Sequence, residues 1–149
     1  MMWKYENSII TEATPEAIWK LYNNVDKWKK WDDSILEVKI NGPFEEGVTG
    51  DLTLLGQEPL LFTLTEVKEN KLFINTTILE QLSIKMDFRH EIEILGMQTK
   101  VTHSVILSGP NAEMIGNQIG PMITQGIPNS MSNLNQLARG DISLSKDFG

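Results

Sequence analysis

The chain contains no cysteine. Disulfides, thiol nucleophiles and thiolate metal sites are therefore excluded, and a reducing, cytoplasmic home is the expectation. Positive charge is also in short supply. Thirteen lysines and arginines stand against 20 acids, for a formal charge of -7, a balance that opposes docking onto nucleic acid or an anionic bilayer. Long apolar runs are missing, none approaching the roughly 18 residues of a membrane span, and no secretory leader pattern opens the sequence. Neither a nucleic-acid partner nor integral membrane association is expected. Phosphate-cradling glycine loops, Gly-x-Ser-x-Gly elbows and His-Glu-x-x-His pairs are absent too, so no ready motif serves phosphoryl transfer, serine hydrolysis or zinc chemistry. No metal or other cofactor is expected.

What remains is an ordinary globular composition, with 40% hydrophobic and 22% charged residues in 149. That length fits one domain with a sizeable core. Apolar periodicity runs through residues 1–139 and stops at Gly140, so 140–149 reads as a polar tail. The opening, Trp3 to Ile10, alternates as a strand, with a possible irregularity at Ile9-Ile10. Thr14-Pro15-Glu16 then places a capping hydroxyl, a preset φ and an early acid at a helix start. Val25, Trp28 and Trp31 mark a second short helical segment.

From Leu36 to Leu107 the period becomes two. Six strands are expected, at 36–40, 48–55, 60–67, 72–79, 82–94 and 97–107, joined by turns too short for parallel crossovers. The clearest puts Leu82, Ile84, Met86, Phe88, His90, Ile92 and Ile94 on one face and charged residues on the other. Beyond Ser108-Gly109-Pro110, apolar residues from Ile115 to Leu137 keep a helical spacing to about Arg139. Gly116, Gly120, Pro121, Gly126 and Pro128 weaken that helix, which should kink and lean on the apolar face of the sheet. The fold class is α+β, a curved antiparallel seven-stranded sheet around a long C-terminal helix, with two short helices after the first strand.

Three stretches carry a family likeness: Ala13-Thr14-Pro15-Glu16-Ala17-Ile18-Trp19, Val25-Asp26-Lys27-Trp28-Lys29-Lys30-Trp31 and Gly42-Pro43-Phe44-Glu45-Glu46-Gly47. With Thr99 to Val105 and Ser108-Gly109-Pro110, they resemble the polyketide cyclase/dehydrase and lipid-transport family of the START-like (SRPBCC) superfamily. The resemblance spans residues 5–139 and implies the helix-grip fold in a single START-like domain, 1–139. It also implies a cavity between sheet and helix for a hydrophobic or aromatic small molecule, lipid-like or polyketide-like. A monomer or homodimer is expected.

Candidate lining residues are Phe62, Met86, Phe88, His90, Val101, His103, Ile119, Met122 and Ile123. If Leu95-Gly96 forms the hairpin loop, Phe88 opposes His103 and His90 opposes Val101, leaving the imidazoles as inward diagonal neighbours roughly 7 Å apart. They serve either as ligand anchors and proton carriers or as core groups satisfied by a neighbouring hydroxyl. Gly116 and Gly120, one turn apart, either admit a close backbone approach or leave volume for a ligand. A binding protein is the leading reading. The alternative is a cyclase or dehydratase-like enzyme with an inward histidine as general acid or base, and a third is a module whose cavity its own side chains fill.

Overall fold

The computed structural model describes residues 2–140. Of the tail expected over 140–149, all but Gly140 lies outside the described residues. The chain runs through β1 (Met2–Thr11), α1 (Pro15–Tyr22), a 3-10 turn at Val25–Lys27, α2 (Trp28–Trp31), β2 (Ile35–Ile40), β3 (Thr49–Leu54) and β4 (Leu60–Lys68). It continues with β5 (Leu72–Leu79), a 3-10 turn at Glu80–Leu82, β6 (Ile84–Leu95), β7 (Gln98–Ser108), α3 (Ala112–Thr124) and α4 (Ile127–Arg139). The seven strands form one antiparallel sheet in the order β1-β7-β6-β5-β4-β3-β2.

Local chemistry explains the frame. Thr14 caps α1 by accepting from the Ala17 N–H at 3.1 Å, with Pro15 in the first helical position. β1 pairs with β7 without a break from Met2 opposite Ser108 to Thr11 opposite Thr99, so the irregularity expected at Ile9-Ile10 does not occur. Ile9 packs inward and Ile10 faces out. β6 begins two residues later than expected. Leu82 belongs to the 3-10 turn and is 44% exposed, and Ser83 adopts a left-handed φ of 53° before the strand starts.

The long C-terminal helix divides into α3 and α4 at Gln125-Gly126. Pro128 has no N–H to offer the Thr124 carbonyl, so the hydrogen-bond ladder stops there and a new helix begins. α3 lies on β1 and β7, while α4 lies on α1, α2 and β1. Gly116 and Gly120 meet the Trp3 indole: a β-carbon at either would stand 2.2 Å from an indole carbon. Of the two readings of these glycines, close approach is the one realised.

The interior forms two apolar clusters. The larger joins Trp19, Tyr22, Trp28, Trp31, Phe62 and Phe73 with aliphatic residues of β7 and α4. The smaller joins Ile84, Met86, Val105, Leu107, Ala112 and Ile115, with Trp3, Phe88, Ile119 and Ile123 packed on it. The outer sheet face is wet, and carries same-strand ion pairs such as Lys68–Glu66 at 3.1 Å, each worth about 0 to 1 kcal/mol.

Candidate functional site

The β6–β7 hairpin sets the centre of the site. Leu95 pairs with Gln98, so the loop is Gly96-Met97 rather than Leu95-Gly96. Gly96 has φ 61° while Met97 keeps a negative φ, the pattern of a type II′ turn with glycine at its first central position. The expected register therefore moves by two residues. His90 stands opposite His103, and Phe88 opposite Val105. Because the shift is even, every side chain keeps its face. The two imidazole centroids are 4.7 Å apart and edge-on, closer than the diagonal pairing expected.

Helix α1 adds the third member. The Tyr22 hydroxyl lies 2.7 Å from His103 Nε2, and the phenol is fully buried. Tryptophan side chains fix this helix end in turn. Trp28 Nε1–H donates to the Tyr22 carbonyl at 2.8 Å and Trp31 Nε1–H to the Leu21 carbonyl at 3.1 Å. Both indoles are buried in the core. The His90 ring stacks on Phe73 at 3.9 Å with the two planes nearly parallel, and its Nδ1 lies 3.4 Å from the Phe73 carbonyl.

Burial governs the protonation of this group. It lowers the His90 pKa to about 3, against weaker opposing hydrogen bonds to the backbone of Phe73 and Phe88. His103 is driven well below the usual imidazole range, first by burial and then by repulsion from His90. Burial alone raises the Tyr22 phenol well above its ordinary value. All three groups are uncharged at neutral pH. With both groups neutral, one proton carries the Tyr22–His103 bond, from the phenol or from Nε2–H according to the imidazole tautomer.

Between the two apolar clusters the concave face is incompletely covered. Inward-facing Tyr5, Asn7, Phe88, His90, Ile119 and Ile123 are only half-buried. Asn75, opposite Phe88 on β5, is 4% exposed, and its Oδ1 has no hydrogen-bond partner among the described residues. The residues named from the sequence thus separate. Phe62 and Val101 sit in the aromatic cluster. Met86 is in the smaller one, with Phe88, Ile119 and Ile123 against it. His90 and His103 stand at the boundary, and Met122 points away from it, 64% exposed. Sequence reasoning missed Tyr22 and Asn75 as site residues. For Asn75 a signal existed, since a carboxamide stands in the apolar run Leu72 to Leu79. A separate open recess of about 420 Å³ at the sheet's end is lined by residues including Glu16, Lys71, Leu72 and Ile94, and by neither histidine.

The model of a family described as polyketide cyclase / dehydrase and lipid transport matches residues 2–136. The chain belongs to this family. Solved structures share its fold. Norcoclaurine synthase from Thalictrum flavum, in complex with dopamine and hydroxybenzaldehyde, superposes with a TM-score of 0.72 at 16% identity, over 94% of this chain and 88% of that one. Protein NE0264 from Nitrosomonas europaea gives 0.73 at 13% identity, over 94% and 96%. Ara h 8.0201 gives 0.70 at 13%, over 94% and 99%. At these identities the likeness establishes the helix-grip architecture alone. No curated protein matches by sequence. Among the described residues, no helix is long and apolar enough to cross a membrane.

Proposed function

We propose that this family member binds a small, mainly apolar molecule, lipid-like or aromatic, on the concave face where its two core clusters part. One observation carries the reading: six inward-facing side chains of β1, β6 and α3 stay half-buried between two well-closed clusters. An interior that served packing alone would close over Phe88 and Ile119 to recover about 25 cal/mol per Å² of apolar surface. The family's description includes lipid transport, and the norcoclaurine synthase structure holds two small aromatic molecules; both support the reading. In it, Phe88, His90, His103, Ile119 and Ile123 border the ligand, Met86 closes one end, and Phe62 and Val101 close the other. Met122 drops out. A cytoplasmic carrier, monomeric or dimeric, fits this function.

The acid–base enzyme is served less well. An imidazole with a pKa of about 3 holds no proton to give at neutral pH and is a weak base. Native mass spectrometry of the purified chain tests the proposal. An apolar adduct released on denaturation is expected. No adduct, together with unmoved Phe88 and His90 resonances on titration with naphthalene, would overturn it.

A further inference from the structure

We propose that Asn75 and His90 form a hydrogen-bonding anchor that selects an uncharged, hydroxyl-bearing ligand, a phenol or alcohol, over the carboxylate of the same shape. The inference rests on the binding function proposed above and names the ligand class of that site.

Asn75 is the strongest observation. A buried acceptor without a partner destabilises the fold, and buried polar groups are nearly always paired. Yet Asn75 occupies a central strand of the sheet, with its Oδ1 enclosed and unbonded. Its register places it on the concave face. It pairs with Phe88 on one side and Leu64 on the other, and Phe73, two residues away on the same face, pairs with His90. Asn75 and His90 are thus diagonal neighbours, roughly 7 Å apart by strand geometry.

His90 complements the amide. With Nδ1–H directed at the Phe73 carbonyl, the neutral ring presents Nε2 as an acceptor. The Asn75 carboxamide also carries its own Nδ2 donor, so a hydroxyl, which both donates and accepts, matches the pair. A carboxylate has no proton to donate at neutral pH and would need a cation. Among the described residues none faces it: the inward positions of β1, β5, β6 and β7 carry no lysine or arginine, and α3 has none. The lysine and the arginine of β6, Lys85 and Arg89, lie on the outer face with Asp87 and Glu91. Burial also keeps both imidazoles neutral, so neither supplies the missing charge. With neutral donors alone and no cation to receive it, an ionised ligand would leave most of its desolvation uncompensated.

Titration calorimetry with naphthalene, naphthol and naphthoate tests this, since the three share one apolar body. The intact chain should bind naphthol at least about tenfold more tightly than either of the others, which is about 1.4 kcal/mol. Asn75→Leu should lose the preference for naphthol, read as the ratio of the naphthol and naphthalene affinities within the variant. Without probe, its melting temperature should hold or rise, because an unpaired amide has been removed. Equal binding of naphthol and naphthalene by the intact chain overturns the anchor and leaves apolar binding standing. A preference for naphthoate, or a naphthol preference that survives in Asn75→Leu, overturns it as well. A fall in the variant's melting temperature marks the amide as structural and has the same effect. Failure of all three probes to bind overturns both the anchor and the binding function.

Discussion

The hydrogen bond between Tyr22 and His103 holds a phenol and an imidazole in a place where neither can carry charge, and this makes the fold sensitive to acid. Unfolded histidines titrate near pH 6.5. The folded His90 does so near 3, and His103 is shifted the same way. As pH falls, the unfolded chain takes up these protons first. Stability is therefore complete above about pH 6.5 and drains away toward about pH 3, with His90 alone removing about 2 kcal/mol by about pH 5. Urea denaturation across that range should show the loss, and a flat profile from 7 to 5 would contradict it. His103→Phe should soften the acid loss. It should also cost ~1 to 3 kcal/mol at neutral pH by stranding the buried Tyr22 hydroxyl, part of which returns when Tyr22→Phe is added. Full additivity of the two changes would mean the bond carries no coupling.

At the level of elements, the contact between α3 and Trp3 reverses an ordinary rule. Alanine is a better helix former than glycine by about 1 kcal/mol. Here a β-carbon at Gly116 or Gly120 would enter the indole, so Gly116→Ala and Gly120→Ala should each lower the melting temperature. In a Trp3→Ala background the same substitutions should become neutral or stabilising. Destabilisation that persists without the indole would place the cause elsewhere. The sequence made the elements legible because period two and period 3.6 are written directly in side-chain order. It made the hairpin register legible only in parity, since Gly96 suits either of two adjacent loops and the choice moves His90 from opposite Val101 to opposite His103. The Tyr22–His103 bond joins residues 81 apart. It depends on how α1 docks on the sheet, which no local pattern encodes. The glycines of α3 announced a close approach or a void, and only the position of Trp3 on the edge strand decides between them.

For the whole molecule, the division of the interior implies unequal local stability. The aromatic cluster draws on α1, α2, α4 and the sheet, while the smaller cluster depends on α3, whose thirteen residues include Gly116, Gly120 and the interior Pro121. The break at Gln125-Gly126 lets α3 open without disturbing α4. Amide hydrogen exchange should therefore find α3 less protected than α4 and β7, and equal protection of the two helices would refute the idea. The same division has an optical consequence. Trp3 packs on the smaller cluster, whereas Trp19, Trp28 and Trp31 belong to the larger, with the Trp31 ring centroid 5.8 Å from that of His103. The chain thus carries its own pair of fluorescent reporters, with Trp3 emission following the departure of α3 and Trp31 emission following the charging of the histidine beside it.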